Sequence, residues 1–214
     1  MKKLLITVSV IVVVGIAGFI VFSQLTSAKV PQAFTDKHNE KVALEKAAAL
    51  ASDLNNLPEW IAFNEQMDAK NYTEAAKSIA VALQKKEEAA RNIAAIDGKL
   101  VELESISADI TNAEVQTSAR NFISVAREEN VAKGTYNNLQ KQMIEKLKAM
   151  VDILAKNSET ISAADEKTIG TLSKEIDGLK TPIDEAATAL DTTQSRYKTT
   201  ETEFFTLAGL TVAK

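Results

Sequence analysis

Apolar positions recur along most of this chain at alternating three- and four-residue intervals, the signature of helices with one buried face. One stretch departs from that rhythm. Leu4–Leu25, LLITVSVIVVVGIAGFIVFSQL, carries no charge and lies between Lys2-Lys3 and Lys29. At about 1.5 Å per residue it spans about 33 Å as a helix, enough for a hydrocarbon core of about 30 Å. It is expected to be a transmembrane anchor after a short basic tail, residues 1–3, with a linker over 26–33. A secretory signal has a shorter apolar core and a small-residue cleavage site. Thr26-Ser27-Ala28 supplies only a weak version of that site, so a secreted form cut after Ala28 is the second reading.

The remainder is expected to fold as one helical domain over residues 34–208. Val30-Pro31 ends the anchor helix, because the residue before proline is pushed out of the helical region. A first helix is expected over about 34–55, with Val42, Leu50 and Leu54 on its apolar side. Asn55 is suited to a left-handed cap there, and Pro58 to the first turn of a short helix over about 58–69 that carries Trp60, Ile61 and Phe63.

After a turn at Lys70-Asn71-Tyr72, a long helix capped by Thr73 is expected over about 73–110. Ile79, Leu83, Ala90 and Ile93 keep one phase, and Ile96, Leu100, Leu103 and Ile110 resume one residue out of it. The slip falls at Ile96-Asp97-Gly98, where a kink is expected. The segment Tyr72–Leu83, YTEAAKSIAVAL, resembles the second helix of a tetratricopeptide repeat. The resemblance covers about fifteen residues and implies a helical hairpin; no second copy follows about 34 residues on, as a stacked array requires.

A rod over about 112–156, capped at Thr111 or Asn112, follows. Its apolar set is Val115, Ala119, Phe122 and Ala126, then Tyr136, Leu139, Met143, Leu147, Met150 and Leu154. Glu129, Lys133 and Gly134 interrupt it, so its middle is expected to be its weakest part. Ser162, with Asp165 three residues on, starts the last rod, 162–207. Its heptad is unbroken: Ile169, Leu172, Ile176, Leu179, Ile183, Ala186, Leu190, Thr193, Tyr197, Thr200, Phe204, Leu207. Gly178 and Pro182 lie inside, but the phase is kept across them, so a kinked continuation near 178–182 is expected rather than a reversal. The fold class is all-α: a single N-terminal transmembrane helix followed by an elongated antiparallel helical bundle or coiled coil, the last two rods being partners of matched length.

Composition supports that picture. Gly (7) and Pro (3) are scarce, and apolar residues make up 45% and charged residues 25%, typical of a folded chain. The net charge of −4, without a Lys/Arg cluster, gives no electrostatic footprint for nucleic acid. Absence of Cys removes thiolate chemistry and disulfides. The single histidine, His38, has no metal-ligand spacing around it and is expected on the solvated surface. The pairs Glu87-Glu88, Glu102/Glu104, Glu128-Glu129 and Glu201/Glu203 point to different sides of their helices and read as solvated faces. Asp97-Gly98 and Asp177-Gly178 lack a calcium-loop ladder, and no phosphate-cradling glycine motif occurs. Asn71-Tyr72-Thr73 fits the glycosylation pattern, which matters only in a eukaryotic secretory setting.

These observations point away from catalysis and cofactors. The expected function is a non-enzymatic, membrane-tethered helical interaction or spacer protein of the cell envelope; a ligand-sensing helical domain and an enzyme of unfamiliar site are the alternatives. Its partners are then membrane lipid through Leu4–Leu25 and a protein partner or a second copy, with no nucleic acid and no small-molecule substrate. Lys2-Lys3 favour a cytoplasmic N-terminus with the helical domain on the far side. One apolar run follows the rods, Phe204–Ala213, leading into the tail 209–214. Within it Phe205, Leu210 and Val212 lie off the heptad and are candidate partner-binding residues, unless the tail folds back onto the bundle. The arrangement of anchor and long helices is similar to that of bacterial envelope families such as LemA-like proteins, whose sequence motifs this chain lacks.

Overall fold

The computed structural model describes residues 21–22, 30–52, 54–157 and 160–211. Five helices account for nearly all of them: α1 (Gln32–Ser52), α2 (Pro58–Asp68), α3 (Tyr72–Ser107), α4 (Ala113–Lys156) and α5 (Ala163–Leu207), with a 3₁₀ turn at Leu54–Asn56. The protein is all-α, as its pattern predicts. A two-residue antiparallel pair, β1 (Val21–Phe22) against β2 (Leu210–Thr211), is the sole departure among the described residues. Among those residues no helix is long and apolar enough to cross a membrane. The expected anchor Leu4–Leu25 lies outside the described residues except for Val21 and Phe22, which are extended rather than helical.

Local chemistry sets the helix ends. The Asn71 side chain accepts from the Glu74 N–H, so α3 begins one residue before the expected Thr73 cap. Asn112 caps α4 through the Glu114 and Val115 N–H groups, and Ser162 Oγ accepts from the Asp165 N–H at the start of α5. Between α2 and α3 the chain reverses at Lys70, which takes φ of 56°, and the Asn71 N–H reaches back to the Gln66 carbonyl. That is a left-handed helix stop on a residue with a Cβ. Asn55 sits in the 3₁₀ turn instead of taking that role.

α3, α4 and α5 form successive antiparallel pairs, and α1 and α2 together run along α3 as a broken fourth helix. Two cores result. Toward one end Phe34, Ile96, Leu100, Leu103, Phe122, Phe204 and Phe205 join α1, α3, α4 and α5. Toward the other, Leu57, Phe63, Ile79, Ile144 and Val151 join α2, α3 and α4.

Several expectations change once the faces are seen. α3 has no slip at Gly98. Its buried positions are Ala75, Ile79, Ala82, Lys86, Ala89, Ile93, Ile96, Leu100, Leu103 and Ser107, one continuous heptad that a lysine and a serine conceal. α4 buries two faces. Tyr136, Leu139, Met143, Leu147, Met150 and Leu154 are only half-buried, whereas Asn137, Gln140, Ile144 and Val151 form its fully buried line. In α1 the buried line is Phe34, His38, Lys41 and Ala48; Leu50, expected on the inner side, is 79% exposed. α5 follows its heptad without interruption through Gly178 and Pro182, although Leu207 at its end is exposed.

A buried charge cluster as the candidate functional site

The middle of α4, where Glu129 and Lys133 interrupt the apolar line, faces α1 and α5. α1 contributes His38, Lys41 and Glu45 at three- and four-residue spacing, so all three project from one side of that helix. α5 contributes Tyr197 and Glu201, again one turn apart. At this interruption of the apolar line the polar residues of three helices bond to one another.

The contacts form one connected chain. His38 Nε2 lies 3.3 Å from Glu201 Oε1. The Tyr197 hydroxyl donates to the same oxygen at 2.7 Å. Lys41 Nζ donates to the Tyr197 hydroxyl at 2.9 Å and to Glu45 Oε2 at 3.0 Å. Lys133 Nζ bridges Glu45 Oε1 at 3.2 Å and Glu129 Oε1 at 2.7 Å. Lys41 is fully buried, Glu129 is 1% exposed and His38 is 5% exposed. The surface positions expected for His38, Glu129 and Glu201 are therefore corrected: each is turned into the bundle. Their sequence neighbours Glu128 and Glu203 do face solvent, since adjacent helix positions point apart.

An aromatic cage seals one side. Phe122 stacks on Phe204 with centroids 5.7 Å apart and lies edge-on to His38 at 5.6 Å; His38 also tilts against Phe205 at 4.9 Å. Lys41 Nζ sits 4.5 Å from the Tyr197 ring centroid, a cation–π distance. Removing water in this way raises the cost of any charge that lacks a counter-charge.

The electrostatics follow from that seal. Burial pushes Glu45 up, but Lys41 and Lys133 outweigh it and hold the carboxyl down to about 2. Burial pushes Glu129 up, and there Lys133 does not offset it, because Glu45 draws on the same ammonium and repels Glu129. Glu201 is held below the ordinary carboxylate value: burial opposes this, and the His38 hydrogen bond and the Tyr197 hydroxyl overcome it. Burial, together with Glu45 and Glu201, raises the Tyr197 phenol well above its usual value. Lys133 is raised, the attraction of Glu45 and Glu129 exceeding its burial cost.

A smaller polar layer lies beyond the cluster. Asn130 donates to the Ile93 carbonyl and to Asp97 Oδ1, and Lys86 donates to Gln140 while Asn137 donates to the Lys86 carbonyl. Among the described residues the surface carries open grooves of about 310 Å³ beside Pro58, Glu59 and Val81, and of about 420 Å³ beside Asn121, Arg196 and Glu203. Among the described residues no group of His, Asp and Glu is placed to hold a metal ion.

Of the residues singled out as partner-binding, Phe205 is 1% exposed and Leu210 is 6% exposed, both within the aromatic core; Val212 lies outside the described residues. The tail folds back onto the bundle as far as Leu210, and Gly209, with φ of 67°, makes the turn that takes it there. A partner reaching Phe205 or Leu210 has first to lift them out of the core. Comparison of the chain with protein-family models, curated proteins and solved structures gave no match.

Proposed function

We propose that this chain is a non-enzymatic spacer and interaction protein, held at a membrane by Leu4–Leu25 and projecting a helical rod from it. The observation that carries the reading is the pairing of α4 with α5, helices of 44 and 45 residues, along their length. At about 1.5 Å per residue that pair is about 65–70 Å long, far longer than a compact bundle of this mass needs. The outward sides of the rods carry intermingled Lys and Glu, as in Arg127–Glu104, Lys146–Glu175 and Arg196–Glu128, a surface that stays soluble while presenting shape and charge to a partner. The apolar stretch and Lys2-Lys3 support an orientation with the rod across the membrane from a cytoplasmic N-terminus.

In-cell crosslinking of the full chain, followed by identification of captured proteins and alkaline extraction of membranes, tests both halves. The expected result is a membrane pellet that detergent but not alkali releases, and one recurring crosslinked partner or a dimer. Release by alkali together with purely monomeric, uncrosslinked chain overturns the reading.

A further inference from the structure

Two lysines and three carboxylates are sealed in one cluster with a histidine and a tyrosine. Two ammonium groups facing three carboxylates leave one carboxylate without an ammonium of its own in a water-poor interior, a deficit that one bound proton on a carboxyl removes. Each possible carrier is constrained by its contacts. His38 reaches Glu201 alone, at the end of the contact chain away from Glu129. Glu45 already faces two ammonium groups, and Glu201 already receives the Tyr197 O–H and the His38 N–H. Glu129 is the most buried of the three carboxylates and has Lys133 alone, shared with Glu45.

We propose that the cluster is a proton-operated latch on α1: one proton on Glu129 balances the charge and locks α1 against α4 and α5, and its loss loosens α1. Lys133 on α4 bonds Glu129 directly; Glu45 and Lys41 on α1 and Tyr197 on α5 come next along the chain of contacts, and Glu201 on α5 and His38 on α1 complete it. α3 contributes Asp97, which binds the adjacent Asn130. α1 also packs along α3 through the shared apolar core, with Lys37–Glu102 and Lys99–Glu40 at the rim, so the latch adds to that packing and sets how firmly α1 is held. α1 is the first helix after the N-terminal apolar stretch. β1, within that stretch, pairs with β2 beyond α5, so loosening α1 leaves that tether to the last rod in place. The burial-raised affinity of Glu129 for protons agrees in direction: the latch is tight at low pH and loosens as pH rises.

The test is amide hydrogen exchange on the full chain in detergent micelles, from about pH 5 to about pH 9, comparing α1 with α3 peptides after correction for intrinsic exchange. The expected result is a progressive loss of α1 protection relative to α3 as pH rises, and disappearance of that pH dependence in Glu129→Gln. Infrared spectroscopy of the wild-type chain gives a second readout, a protonated-carboxyl C=O band that fades over the same range. Glu129→Asp, which keeps the carboxyl, is expected to retain a band with a displaced midpoint. An α1-to-α3 ratio flat with pH, an unchanged pH dependence in Glu129→Gln, or no such band in the wild type overturns the proposal.

Discussion

The ammonium of Lys41 donates to the hydroxyl of Tyr197 at 2.9 Å, joining residues 156 positions apart, and the same ammonium lies over the tyrosine ring. This pair ties the first helix to the last at the point where the charge cluster meets the aromatic cage. Neither residue is readable as a partner of the other from local spacing. Breaking the contact leaves the buried Lys41 with Glu45, on its own helix, as its remaining ion-pair partner.

Removing a single ion from the cluster is expected to be costly. Lys133→Met leaves Glu129 buried without its cation and takes one of two from Glu45. It should lower stability by about 3–5 kcal/mol, read from chemical denaturation. Adding Glu129→Leu should recover most of that loss, since the buried carboxyl left without its partner goes with it; a double variant no better than the single refutes the coupling.

The aromatic cage is expected to behave as a packed core. Phe122 touches His38, Tyr197, Phe204 and Phe205. Phe122→Ala should cost about 3–5 kcal/mol. A loss under about 1 kcal/mol would show that the cage collapses around the gap without consequence.

Stability should fall on both sides of an optimum pH. Glu45 and Glu201 have lowered values, so their contribution is present above the ordinary carboxylate range. It is lost as pH falls, for Glu45 near about 2. Glu129 is raised, so its contribution is complete at low pH and is lost as pH rises through its folded value. Thermal unfolding across pH should show a maximum that broadens toward high pH in Glu129→Gln.

Two positions in α5 remain below their helical optimum. A Cβ at Gly178 meets open space, and Pro182 withholds an N–H from the Gly178 carbonyl while the helix continues. Gly178→Ala should add about 0.5–1 kcal/mol and Pro182→Ala up to about 3 kcal/mol, read as raised Tm. A lowered Tm for both would mean that a bend at this place is needed by the packing.

The strained turn at Lys70 offers the opposite substitution. Its φ of 56° disfavours a residue with a Cβ, so Lys70→Gly should relieve about 1 kcal/mol, partly offset by the greater freedom of glycine in the unfolded chain. A net gain in melting temperature is the expected outcome.

Much of the helical layout was legible before the fold. The ends of α4 and the start of α5 fall where Asn112 and Ser162 cap them, and the α5 heptad runs through Pro182 as its phase indicates. The errors about which face is buried have one origin. α3 reads as out of phase because Lys86 and Ser107 occupy heptad positions that an apolar count leaves out. α1 reads with Leu50 inside because His38, Lys41 and Glu45 hold the true inner line. His38 reads as solvated because its partners, Glu201, Phe122 and Phe205, are far off in the chain.

By itself, then, the sequence determined that the chain is all-α and where caps such as Asn112 and Ser162 start its long helices. Those features depend on backbone hydrogen bonds closed within a few residues, on propensity and on caps. Only the tertiary structure decided which polar residues go inside. A charged side chain is stable there when a counter-charge from another helix meets it and water is excluded, and that pairing is a property of three helices together.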